Sequence, residues 1–256
     1  METTGFRSLT SGINKMAPPE FHLHIGAHEI FPTLLKKASE VLAEASRKNG
    51  VRYIGAKEMR SFVNEKSLLE GHLFSPVEYF SISPETRRVV TSGHGLLCPP
   101  AKVFTTSGLY NNVGKTPSKI QQKFVGLPVT IFLFIRPQST YGPVRDFINV
   151  GDDSVSWLHV INKIRQAVPH AVIDVWPIEY PNFDSIHIVS NVFGIDLDED
   201  EAFRIEKLSR KERIAAPVTQ PSRQERDIDI YLEQLYESDI SAIRQLKGVL
   251  LSGVPG

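Results

Sequence analysis

Phe21-His-Leu-His-Ile-Gly-Ala-His28-Glu29-Ile-Phe31-Pro32-Thr33 is the stretch whose reading decides the fold. It opens as an apolar strand, passes through a turn at Gly26, and leads into a helical pattern from Leu34 to about Asn49. A strand, a glycine turn and a helix N-terminus form the usual cradle for phosphate or sulfate, because free backbone N–H groups and the helix dipole converge there. The residues of the turn do not suit that task. Glu29, Phe31 and Pro32 stand where an anion cradle wants lysine, glycine and hydroxyls.

Downstream, apolar runs alternate with helical patterns. Besides Phe21–Ile25, strands are expected at Val51–Ile54, Arg88–Ser92, Val129–Ile135 and Ala171–Trp176. Several are rich in Val and Ile and lack clean polar alternation, as expected of strands covered on both faces of a parallel sheet. Ser154 is placed to cap a helix running to Ala167, with Trp157, Val160, Ile161 and Ile164 on one side and Pro169 beyond its end. The order predicts an α/β fold: a three-layer sandwich around a central, mainly parallel sheet with crossover helices. The last third differs. Asp196–Glu201 is acidic, Lys207–Arg213 reads as a solvated helix end, and Ala215–Arg223 as a loop. A final helix is expected over Glu225–Gln245, with Ile228, Tyr231, Leu232, Leu235, Ile243 and Leu246 on one stripe. Residues 1–19 read as a flexible tail and residues 20–256 as one α/β domain with a helical C-terminal region.

Composition narrows the classes of function. The chain has 256 residues, 41% hydrophobic and 23% charged, enough for a sizeable core. Lys+Arg and Asp+Glu both number 29, so no global field draws in nucleic acid or a membrane surface. The single Cys98 excludes an internal disulfide and a cysteine zinc site, and fits a reducing compartment. The longest strongly apolar run, Val129–Ile135, is too short to span a bilayer, and no apolar signal-peptide core opens the chain. A cytoplasmic location is expected.

His22, His24 and His28 form an H-x-H-x3-H cluster. On a strand, His22 and His24 point to one side, and such a pair at a strand end can bind metal. Further ligands are lacking, since His159 falls in a helix and Asp174 in a strand, leaving only His94 after a strand. The simpler expectation is two histidines packed beneath helices with one ring nitrogen bonded, and no metal.

Read together, these segments resemble a bacterial sulfotransferase family. Phe21–Thr33 is similar to its first strand and loop, hydrophobic-His-Ile-Gly-x-His-Lys-Thr-Gly-Thr-Thr, with matches at His24, Ile25, Gly26, His28 and Thr33. Thr91–Pro100 resembles its Ser-x-Glu-x-Leu-Leu segment, and Val129–Arg136 its central strand ending in Arg. Val175–Tyr180 resembles its Trp-x-Tyr-Glu-Asp segment, and Tyr236–Leu250 its terminal helix and strand. The resemblance covers roughly residues 20–250 and implies a P-loop, sulfotransferase-like fold. It also implies 3′-phosphoadenosine 5′-phosphosulfate as cofactor and a hydroxyl acceptor, often on a carbohydrate. Sulfuryl transfer depends mostly on positioning and charge stabilisation, which is why the loop carries glycine, lysine and hydroxyls.

The departures fall on that loop. Glu29 occupies the lysine position; at an effective dielectric of about 20, unit charges ~4 Å apart interact by roughly 4 kcal/mol, and here the sign is reversed. Phe31 occupies the glycine position, and Pro32 removes an N–H donor. By the resemblance, Gly26, His28, Thr33 and Arg136 are the cofactor contacts that remain. Val144 stands where a phosphate-binding serine is expected, with Arg145 beside it as a replacement ligand. His94 takes the place of a glutamate general base, work that an imidazole can do. The leading expectation is a pseudoenzyme acting as a binding or scaffold subunit, through a protein partner or self-association. The Phe74–Phe80 loop and the C-terminal helix are its candidate surfaces. The alternatives are an active sulfotransferase using Arg136, Arg145 and His94, and a metallohydrolase built on the histidine cluster.

Overall fold

A computed structural model describes residues 17–26, 30–65, 74–93, 96–97, 103–105, 108–110, 113–140, 153–178, 183–212 and 223–253. The architecture is α/β. Strands β1 (Glu20–His24), β2 (Val51–Ile54), β3 (Arg88–Ser92), β6 (Val129–Ile135), β7 (Val172–Pro177) and β8 (Val249–Leu251) form one sheet in the order β2-β3-β1-β6-β7-β8. Every neighbouring pair in it is parallel. A short antiparallel pair, β4 (Phe104–Thr105) and β5 (Gly108–Leu109), stands apart.

Side-chain alternation divides the core into two layers, as strand geometry requires. Phe21, Leu23, Ile131, Leu133, Ile173 and Val175 face one side. There they meet α3 (Ala56–Asn64), α5 (Lys115–Lys123), α6 (Trp157–Ala167) and α9 (Arg223–Arg244). Val90, Phe132, Phe134 and Trp176 face the other. They meet α1 (Ile30–Val41), α7 (Ser185–Phe193) and α8 (Glu199–Glu212). Helices therefore cover both faces, which explains why the inner strands read as continuous apolar runs.

The expected elements are shifted in places. β1 and β7 each move by one residue, to Glu20–His24 and Val172–Pro177. The helix expected from Leu34 to about Asn49 starts earlier and bends at Leu42, dividing into α1 and α2 (Ala43–Lys48). Leu42 has ψ 16°, outside the helical range, yet its N–H still donates to Ala38 O at 2.8 Å, and its side chain is fully buried. The cap of α6 is Ser156 rather than Ser154: Ser156 Oγ accepts from His159 N, while Ser154 lies in a preceding 3₁₀ turn, Asp153–Val155. The acidic Glu199–Glu201 forms the first turn of α8, where carboxylates suit the helix dipole.

The two segments expected to carry a partner are each partly buried. Phe74 and Tyr79 are exposed, but α4 (Pro76–Tyr79) ends at Phe80, which is buried in the core. The stripe of α9 is consumed internally: Ile228, Leu232, Tyr236 and Ile243 are buried against α6 and the sheet. No helix among the described residues is long and apolar enough to cross a membrane.

Candidate functional site

The chain leaves β1 towards β2 and β3 on one side, and later adds β6 on the other. The strand order therefore reverses around β1. In parallel α/β sheets, ligands bind outside the carboxyl ends of the strands at such a reversal. Gly26 follows β1, Gly93 follows β3 and Arg136 follows β6, so three loop starts meet at this edge. The register pairs His24 with Ser92 and with Phe132. Gly93 N–H donates to His24 O at 2.7 Å, and Ile25 N–H to Phe132 O at 3.1 Å, which holds the three strand ends together.

His24 forms the floor. It is fully buried, its ring lies edge-on to Phe134 with centroids 4.7 Å apart, and its Nδ1 is hydrogen-bonded to Ser92 Oγ at 3.0 Å. Its Nε2 lies beneath Gly26, where an added methyl would stand 3.5 Å away, an ordinary contact. Gly26 is thus buried without being required by backbone strain. Gly93 is the tighter glycine, because the Leu96 side chain occupies the space a methyl would need.

α1 begins at Ile30, so its N-terminus rises just past the end of β1. The first four N–H groups of a helix have no intrahelical partner and can hold an anion. Pro32 is the third residue of α1; a proline fits there because that N–H would be unbonded anyway, but it leaves one donor fewer. Thr33, in the same turn, is exposed. Just after β6, Arg136 is half-buried and its carbonyl accepts from Trp157 Nε1 at 2.9 Å. His28, His94 and Arg145, and Glu29 with them, lie outside the described residues; of the other expected site residues, Gly26 and Arg136 follow neighbouring strands and Thr33 lies in the first turn of α1.

Each histidine of the pair has a ring nitrogen hydrogen-bonded. His22 and His24 lie on one side of β1, beneath α7 and α1. His22 Nδ1–H donates to Val192 O at 2.7 Å, near the end of α7, and its Nε2 lies 3.7 Å from Glu20 Oε2. Burial, aided by the Arg88 charge, pushes the His22 pKa down to about 4, against the pull of Val192 and Glu20. Among the described residues no three His, Cys, Asp or Glu side chains converge as a metal site.

A buried polar cluster beside Arg136 was not foreseen. Asp239 of α9 accepts from Ser156 Oγ at 2.6 Å, from Trp157 N at 2.7 Å and from Gln138 Nε2 at 3.3 Å. Gln138 Nε2 also donates to Val155 O at 3.1 Å. Burial raises the Asp239 carboxyl above the usual range, while these donors pull it back. The cluster ties the chain after β6 to the N-terminus of α6. No local signal announces it, since Asp239 is separated from its partners by more than 80 residues.

Comparison with known protein families, curated proteins and solved structures found no match for this chain.

Proposed function

We propose that the chain is a sulfotransferase-like protein that no longer runs on 3′-phosphoadenosine 5′-phosphosulfate and serves as a binding or scaffold subunit. The junction of β1 and α1 carries this reading. A central parallel strand leads to a helix N-terminus at the reversal of strand order, an arrangement that supports an anion site. Its chemistry runs the other way. Glu29 immediately precedes α1 in the chain, and a carboxylate there competes with an external anion for the positive end of the helix dipole. Pro32 withdraws a donor from the same turn. Isothermal calorimetry with the desulfated cofactor, 3′-phosphoadenosine 5′-phosphate, tests the reading. No binding is expected in the micromolar range, and the combined change Glu29→Lys, Phe31→Gly and Pro32→Thr should create it. Micromolar binding by the unaltered protein would refute the proposal.

Arg136 favours a second reading, an active enzyme with an unusual loop. Its place after β6 puts a cation at the same edge of the sheet as Gly26. In that case His94 would be the base for a hydroxyl acceptor, with Arg145 helping to hold the cofactor. Sulfuryl transfer to carbohydrate hydroxyls that falls on His94→Ala and Arg136→Ala would favour this mechanism; turnover unchanged in both would eliminate it.

A further inference from the structure

The chain is neutral overall, but its charges are sorted. Between Glu85 and Asp146 there are eight Lys or Arg and no Asp or Glu. Between Arg165 and Arg204 there are eight Asp or Glu and no Lys or Arg. The fold sets elements of the two blocks on opposite faces of the sheet. Ile120 of α5 belongs to one core layer, and Ile188 of α7 and Ile205 of α8 to the other.

On the face that carries α5, an open groove of about 790 Å³ lies between α5 and α6. Lys115, Ser118 and Lys119 line it from α5, and Lys163 and Gln166 from α6, with no carboxylate among the lining residues. Gly114 and Ala167 are its small apolar members, and the lysine stems add apolar walls. On the other face, the first turn of α8 presents exposed Glu199 and Asp200, the latter 3.9 Å from Arg204 Nη1, followed by Phe203. Phe203 is 63% exposed, the second most exposed large apolar side chain among the described residues. Positions three and four apart share a helix face, so these three residues form one projecting patch. Their neighbours Asp198 and Glu201 are engaged in capping each other's backbone N–H groups.

We propose that the first turn of α8 docks into the α5–α6 groove of a second copy of this chain, with Phe203 on its floor and Glu199 and Asp200 between the lysines. The inference stands whether or not the β1 loop takes a nucleotide. Charge complementarity within one sequence selects this occupant, and a net charge of zero leaves no global repulsion to oppose it. The contact joins unlike surfaces on opposite faces, so it is heterologous. It propagates, or closes into a ring, instead of stopping at a two-fold dimer. The attraction involves exposed charges and weakens with salt.

Sedimentation velocity on the full chain tests this. Concentration-dependent assembly beyond a dimer is expected at ionic strength of about 0.02 M, with dissociation at about 0.5 M. Two charge-reversed proteins are compared, one with Lys115→Glu and Lys163→Glu, the other with Glu199→Lys and Asp200→Lys. Lys119 is left in place because its Nζ donates to Asn64 Oδ1 at 2.8 Å. Each variant alone should assemble at least about ten-fold more weakly, since its own surfaces then repel. An equimolar mixture should recover assembly, because each groove again meets a patch of opposite sign. Far-UV circular dichroism checks that both variants fold, and Phe203→Ser supplies a variant that leaves the charges alone and should also weaken assembly. A monomeric wild type at both ionic strengths would overturn the proposal. So would assembly unaffected by either reversal, or folded variants whose mixture stays monomeric.

Discussion

Acid is expected to loosen α7 from the sheet through His22. In the folded protein burial keeps this imidazole neutral down to about 4, whereas its ordinary value is 6.5. Between those values the unfolded chain takes up a proton that the folded chain refuses, so stability falls as the pH drops. The contribution is fully present above 6.5 and is lost on the way down to about 4. At about 1.4 kcal/mol per pH unit, the gap is worth about 3 kcal/mol, a large part of the ~5–15 kcal/mol that holds a typical domain together. His22→Phe isolates the effect. It keeps an aromatic ring beside Phe132, now 5.0 Å from the imidazole by centroid, and removes the titration. At neutral pH the variant should lose about 1–3 kcal/mol, because Val192 O is left without its buried donor. Urea unfolding followed by tryptophan fluorescence at pH about 7.5, 5.5 and 4 measures both proteins. Across that range the difference should move by about 3 kcal/mol in favour of the variant, erasing or reversing the wild-type advantage. A gap constant to within about 1 kcal/mol would refute the argument, as would an NMR titration placing His22 near its ordinary value.

Asp239→Ala strips the acceptor from Ser156 Oγ and Trp157 N, and at about 1–3 kcal/mol per buried donor it should cost about 2–5 kcal/mol. Asp239→Asn should recover part of this, and a loss below about 1 kcal/mol for alanine in urea melts would contradict the role assigned to the cluster. Burial pushes the Asp174 carboxyl above the usual range, against the hydrogen bonds of Ser252 and Trp176 and the charge of His187. Its stability contribution is present below the ordinary carboxylate value and lost as the pH rises through the raised one. Wild type should therefore lose ground to Asp174→Asn between acid and neutral pH, and parallel stability curves would show that burial does not disfavour the ionised carboxylate there. Gly194→Ala should cost more than about 1 kcal/mol, since φ is 62° and the methyl would collide with Arg88, whose Nη2 ion-pairs with Glu20 Oε2 at 2.9 Å. Unchanged thermal stability would mean that Arg88 moves aside without loss.

Local pattern carried much of the architecture. The expected Val51–Ile54, Arg88–Ser92 and Val129–Ile135 coincide with β2, β3 and β6, because strands buried on both faces leave unbroken apolar runs. Period two put His22 and His24 on one side of β1, and period 3.6 put Val160, Ile161 and Ile164 into the core. The two-residue β4 and β5 were not foreseen, since two residues carry no periodicity. Ser154 and Ser156 both offer a capping hydroxyl, and the contact of Ser156 with Asp239 decides between them.

What the sequence determined by itself is local: the alternation of strands and helices, the apolar faces, and Glu29, Phe31 and Pro32 in the segment after β1. Tertiary structure decided the rest. The order β2-β3-β1-β6-β7-β8 brings the end of β1 between those of β3 and β6, so that Gly26, Gly93 and Arg136 share an edge. It buries Asp239 against Ser156 and sorts a neutral chain into a basic groove and an acidic helix end. Such pairings depend on which apolar faces find one another across long chain separations. Periodicity reports that a residue is buried, and packing alone determines its neighbour.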